Sequence, residues 1–240
     1  MANISSAFGD MSISAPSIND LAVFAYYFHK ANNAVEYYTS INQIDDFKNF
    51  DDVLNFIKNN HNVLNDKNPK RFEFNSSFCA SGRWTFENNL DWFFDLKEYK
   101  DEIEKLSDNG YAALIESIEI NVNYIEYECG CEFIDEATAV IKAKKSNNNE
   151  FESDVAINHK PHDYTVENLR NICGYDEVYS VNDTLKNMSE YFTKDALKNN
   201  KTEIENSLTA VLDEKRDLIY FDIDEMFEDL DIQIPIDYLN

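Results

Sequence analysis

Apolar and polar positions along this chain follow a period of two over some stretches and a helical period over others. Residues 3–14 (NISSAFGDMSIS) alternate loosely and predict a strand. Ser17, with Asp20 three residues on, supplies helix-start chemistry, and Leu21, Phe24, Ala25 and Phe28 then recur at helical spacing. Val35 to Ile41 predicts a strand, and Phe47 to Ile57 a helix whose apolar positions are 47, 50, 53, 54 and 57. Asn59 to Pro69 reads as a polar loop. Arg71 to Ala80, with Phe72, Phe74 and Phe78 alternating, predicts a strand, and Thr85 to Tyr99 a helix with Thr85 as its N-cap. Tyr111 to Ile115 fits either a short helix or the approach to a strand. Ile118 to Cys129 carries the strongest alternation, and Phe133 to Lys144 completes a hairpin with it. From Thr165 the pattern is helical, over 165–173, 181–200 and 201–213, with a short apolar run at 218–223 and a closing strand over 232–238. The expected fold is α+β: a mixed or antiparallel sheet with helices packed on one face. The body spans 1–145, and a mainly helical, acidic region spans 146–240. Segments 17–28, 85–96 and 165–172 each place Ser or Thr ahead of a polar step and an apolar run. Ordinary capped helix starts account for that echo, and a duplicated β–α unit is the alternative.

Composition changes this picture in one respect. Hydrophobic residues make up 43% of the 240 and aromatics 14%, ample for a packed core. Against this stand 46 Asp and Glu and only 21 Lys and Arg, a formal net charge of −25. Solubility alone needs a magnitude of only about 2–8 for a small domain, and the excess opposes compaction by self-repulsion. Such a chain repels duplex DNA, RNA and anionic membranes, so the natural partner is a basic protein groove. No apolar run approaches the ~20 residues of a membrane-spanning helix. The opening MANISSAFGD lacks the basic and apolar regions of a secretory signal. The expected compartment is therefore the cytoplasm, with Cys79, Cys129, Cys131 and Cys173 as reduced thiols.

The acids cluster. Residues 98–136 hold twelve Asp or Glu against two Lys, and 217–231 hold seven acids and no base. Glu116, Glu126 and Glu128 share one parity of the strand expected over 118–129, with Glu119 on the other. Carboxylates spaced along a rigid element approximate the phosphate spacing of nucleic acid. The expected partner-binding acids are therefore Glu116, Glu126, Glu128, Asp222, Asp224, Glu225, Glu228, Asp229 and Asp231. The run 222–231 lacks the central Gly of an EF-hand loop and is set aside as a calcium site. Cys129, Cys131, His159 and His162 offer a zinc ligand set, but the C-x-C spacing is short for a structural site, and buried thiols beside Phe133 are the simpler reading. The chain carries no GxSxG, P-loop, GxGxxG or HExxH string, so no catalytic residue and no cofactor is expected.

Gly82-Arg83-Trp84 is the most distinctive local string, and Trp84 and Trp92 are the only tryptophans. Arg83 and Trp84 have the composition of an interaction hot spot. The structural alternative is a β–α corner with Trp84 buried and Arg83 paired with an acid.

The strand–GRW–TxENNL helix and the acidic hairpin YIEYECGCEF (124–133) resemble small ferredoxin-like α+β proteins of phages and mobile elements, over about residues 70–145. In overall character the chain is similar to anti-CRISPR and anti-restriction proteins of the nucleic-acid-mimic type. The resemblance implies ferredoxin-like β–α units and a stoichiometric inhibitor that occupies the basic nucleic-acid-binding groove of a host defence complex in the bacterial cytoplasm. It carries over no functional residue. A second expectation is an interaction module using the aromatic surface around Trp84 and Trp92.

Overall fold

The computed structural model of the chain describes residues 4–33, 37–65, 69–128, 133–146 and 150–174. Seven strands form one antiparallel sheet: β1 (Ile4–Ala15), β2 (Thr39–Ile41), β3 (Asn62–Leu64), β4 (Arg71–Arg83), β5 (Glu119–Glu128), β6 (Phe133–Lys145) and β7 (Phe151–His162). Their order is β2-β4-β1-β5-β6-β7, with β3 also on β4. Because β4 runs antiparallel to both β1 and β2, those two are parallel with β4 between them. The helix α1 (Ile18–Asn32) connects them. By the same logic β4 and β5 are parallel with β1 between them. They are joined by α3 (Glu87–Leu90), α4 (Lys100–Leu106) and α5 (Tyr111–Ser117). Two interlocked split β-α-β units are the ferredoxin-like arrangement. Here α2 (Phe50–Asn60) and β3 are inserted before β4, and β6 and β7 extend the sheet as a meander beyond β5.

Alternation decides which face is buried. Ile13, Met11 and Ala7 of β1 share a face with Phe74, Phe78 and Ala80 of β4, with Ile120, Val122 and Tyr124 of β5, and with Ile141, Ala139 and Ala137 of β6. All are buried, beneath Leu21, Phe24 and Phe28 of α1 and beneath Phe86, Leu90, Phe93 and Phe94. On the other face β1, β4 and β5 present Asp10, Ser12, Asn75, Ser77, Asn121 and Asn123. Ser17 caps α1 by accepting from the Asp20 N–H at 3.0 Å, and Asn49 caps α2 by accepting from the Asp52 N–H at 3.0 Å. The Asp20 carboxylate is itself buried. It accepts from the Ser107 hydroxyl (2.7 Å), the Asp108 N–H (3.0 Å) and the Asn109 amide (3.1 Å), so part of the acidity is structural.

Several expectations are corrected. The loop foreseen over 59–69 contains β3, and α4 adds a helix before the Tyr111 segment, which is itself helical. The helix foreseen over 85–99 is one short turn of α-helix, Glu87–Leu90, followed by turns and a 3-10 segment at Lys97–Tyr99. The strand β7 was not foreseen, although Phe151, Val155 and Ile157 alternate with Glu152, Asp154 and Ala156. It pairs with β6 along its whole length, so residues up to 162 belong to the body rather than ending it at 145. The chain divides into two compact units, 1–128 with 133–162, and 129–132 with 163–240. Of the second, the described part is 163–174, where Thr165 caps α6 (Val166–Asn171) by accepting from the Asn168 N–H at 3.1 Å. The helices and strand expected from 181 onward lie outside the described residues. Among the described residues no helix is long and apolar enough to cross a membrane.

Candidate binding cleft

The chain turns sharply at the end of β4, and glycine permits the turn. A Cβ on Gly82 would sit 2.6 Å from the Thr85 carbonyl oxygen and 2.8 Å from the Phe86 nitrogen, both backbone atoms. Trp84 follows with φ +71, the sole positive-φ residue other than glycine among those described. The Asn88 amide donates to the Arg83 carbonyl at 2.8 Å and closes the turn. Phe86 is then driven into the core, stacked on Phe78 (5.3 Å between ring centroids) and edge-on to Tyr124 (5.0 Å). The buried Asn89 amide lies within hydrogen-bonding distance of the Ser81 (2.9 Å), Tyr38 (3.3 Å) and Tyr37 (3.4 Å) carbonyl oxygens, which ties α3 to β4 and to the segment leading into β2. Four of the segment's apolar side chains, Phe86, Leu90, Phe93 and Phe94, are buried, but both tryptophans are not: Trp84 is 51% exposed and Trp92 63%. The two indoles, Tyr37 and Arg83 line a cleft of about 700 Å³, with Asn88, Asp91 and Asp95 on its walls. A second cleft of about 370 Å³ shares Asp91, Trp92 and Asp95 with the first and continues to Tyr111 and Phe151.

The structural alternative holds in part: residues 82–84 form a corner between β4 and α3, but its side chains are not placed as that reading expects. Trp84 is half exposed rather than buried, and among the described residues Arg83 makes no ion pair. Sequence pattern missed Tyr37, Asn89 and the acids of the walls, which reach the cleft by way of the fold.

The acids expected on the sheet surface fare differently. Glu126 and Glu128 do share a parity, but it is the buried one, and they are 3% and 4% exposed. Carboxylates so enclosed cannot form a contact surface. Glu116 belongs to α5 rather than to the strand; it is exposed and pairs with Lys145. Asp222, Asp224, Glu225, Glu228, Asp229 and Asp231 lie outside the described residues. The Glu126 carboxylate accepts the Phe86 N–H, and the Ser5 hydroxyl reaches it as well as the Gly82 carbonyl oxygen 3.5 Å away. Burial pushes the Glu126 carboxyl up to about 7, against the hydrogen bonds from Ser5 and Phe86, with Asp135 and Glu87 adding to the rise. Beside it, the His159 Nδ1 lies 2.6 Å from Asp135 Oδ2, and that hydrogen bond raises the imidazole above its ordinary value. His162 lies 3.2 Å from Glu136 on the opposite face, so the two imidazoles weighed as zinc ligands and set aside diverge. Cys129 and Cys131 lie outside the described residues, and among the described residues no cluster of His, Cys, Asp and Glu suits a metal ion.

No family model, curated protein or solved structure matches this chain.

Proposed function

We propose that this chain is a stoichiometric protein-binding module, and that the cleft between Trp84 and Trp92 seats an Arg or Lys side chain of a basic partner. The observation that carries the reading is the exposure of both tryptophans in a segment that buries Phe86, Leu90, Phe93 and Phe94. Indole faces attract a cation by about 0.5–2 kcal/mol. Asp91 and Asp95 add complementary charge, and the chain's net charge of −25 steers a basic protein toward the site. Arg83 orients a carbonyl or carboxylate beside the seated cation. The partner class that suits such charge is a basic nucleic-acid-binding protein of a bacterial defence complex, which binding would block. In this reading the aromatic cleft, not a ladder of strand carboxylates, makes the specific contact. The buried positions of Glu126 and Glu128 weigh against a mimic built on β5.

The test titrates the protein with an arginine-glycine peptide and with the same peptide carrying citrulline, following tryptophan fluorescence. The arginine peptide is expected to change the emission saturably, with Trp84→Ala and Trp92→Ala each weakening binding about tenfold or more while stability moves by less than ~0.5 kcal/mol. Equal response to the citrulline peptide, or binding unchanged in both alanine variants, would overturn the proposal. The second outcome would favour a distributed electrostatic mimic.

A further inference from the structure

Glu126 is a buried carboxylate that touches the backbone of the Trp84 turn. Its acceptor oxygen takes the N–H of Phe86, two residues after the positive-φ Trp84 and four after Gly82, whose bare Cα lets the turn lie against the sheet. The neighbouring anchors are neutral: the Asn88 amide on the Arg83 carbonyl, and the Asn89 amide on β4. We propose that Glu126 is the positioning residue of the cleft, its carboxylate holding the Trp84 turn in the geometry that receives a ligand, so that the cleft loses affinity when that carboxylate takes up a proton. The inference rests on the cleft being the binding site.

The chemistry follows from the strength of the one bond. A carboxylate accepting an N–H forms a charge-assisted hydrogen bond, roughly twice as strong as the one a neutral acid accepts. Protonation therefore loosens the Phe86 anchor without removing it. The groups facing Glu126 set where this happens. Asp135 of β6 stands directly opposite in the register, Glu87 reaches it from α3, and Tyr124 and Glu128 flank it on β5. His159 of β7 holds Asp135, while Ser5 of β1 supplies a hydroxyl and β4 only Gly82. Burial together with the two nearby carboxylates moves the transition into the neutral range, where ordinary glutamates no longer titrate. A protonated His159 neutralises Asp135 and opposes that move.

The experiment uses the full chain. In Trp92→Phe protein the remaining indole is Trp84, and its emission is followed from about pH 5 to about pH 9. A single transition near neutrality is expected, absent from Trp92→Phe/Glu126→Gln protein, and retained in Trp92→Phe/His159→Gln protein with a shifted midpoint. In unsubstituted protein the Phe86 amide resonance is expected to titrate with the same midpoint, a measurement that needs no altered core residue. The arginine-glycine peptide is expected to bind about fivefold more weakly on the acid side. A flat Phe86 resonance, or a Trp84 transition that survives Glu126→Gln, overturns the inference. If the peptide fails to bind at every pH while Phe86 and Trp84 titrate together, the cleft reading fails and Glu126 remains the residue that sets the turn.

Discussion

The two β–α crossovers of the sheet begin from similar strings and end differently. After β1, the string SINDLAVFAYYF becomes a capped helix of 15 residues whose buried side includes Leu21, Val23, Phe24, Tyr27 and Phe28. After β4, TFENNLDWFFDL becomes four residues of helix and a series of turns. The divergence has local causes. Ser17 spends its oxygen on the Asp20 N–H, whereas the helix after β4 has no side-chain cap, and the Phe86 N–H goes to Glu126 instead. Asn89 spends its amide on β4 and the Tyr37–Thr39 segment rather than serving a helix. Both segments still deliver aromatics to one core: Phe28 meets Phe93 edge-on at 4.8 Å, and Phe24 meets Phe94 at 5.6 Å. What the second crossover has beyond the first is a pair of indoles that this core does not use. A core explains buried aromatics; the two exposed indoles instead line one cleft, the feature on which the proposed function rests.

Truncating the shared aromatic pair tests this comparison most severely. Phe28→Ala and Phe93→Ala are each expected to cost about 3–5 kcal/mol in urea unfolding, because both rings are fully buried. A Phe93→Ala loss below ~1 kcal/mol would mean that the second crossover is not part of the core.

Next in size is a pH effect. Burial on folding raises the Glu126 carboxyl from its ordinary 4.5 to about 7, so between those limits the folded chain holds the extra proton. Stability therefore falls as pH rises through that window, and the penalty is complete above it. His159, whose raised value comes from its bond to Asp135, acts in the same direction, since its contribution is lost as pH climbs through the folded value. Glu126→Gln is expected to flatten the slope and to gain up to about 3 kcal/mol above neutrality. Urea titrations across the window check it, and an unchanged slope would show that the buried carboxyl is not the titrating group.

The smallest effect separates the two helix starts. Ser17→Ala is expected to cost about 1 kcal/mol, and Thr85→Ala less than ~0.5 kcal/mol. Equal losses would erase the distinction between a capped crossover and one anchored from the sheet.

Much of this was legible in the chain. The alternation of β1, β4, β5 and β6, the Ser17 cap and the spacing of α1 follow from local chemistry, and the structure keeps them. The parity shared by Glu126 and Glu128 was also legible. Ile120, Val122 and Tyr124 have the same parity, which marks that face as the buried one and the two acids as interior. Glu116 was assigned the parity of a strand that starts only at 119. The break after Leu90 was not legible, because two of the groups that redirect the helix, Glu126 and the main-chain oxygen at Tyr38, are distant in sequence. Tyr37 joins Trp84 for the same reason: β2 lies beside β4 only through a crossover.

One feature of the sheet bears on how the molecule behaves in company. On the outer side of β4, β3 covers Arg71–Glu73 and β2 covers Phe78–Ala80. Between them, Asn42 donates to the Ser77 hydroxyl at 3.0 Å and the Gln43 N–H to the Ser76 hydroxyl at 3.5 Å. A strand from another molecule finds no continuous rail there. Among the described residues the only long free edge is β7, where Glu152, Asp154 and Lys160 stand exposed and Pro161 brings no N–H. Among the described residues, addition of a further strand to this sheet is thus discouraged on one flank by interruption and on the other by charge and proline.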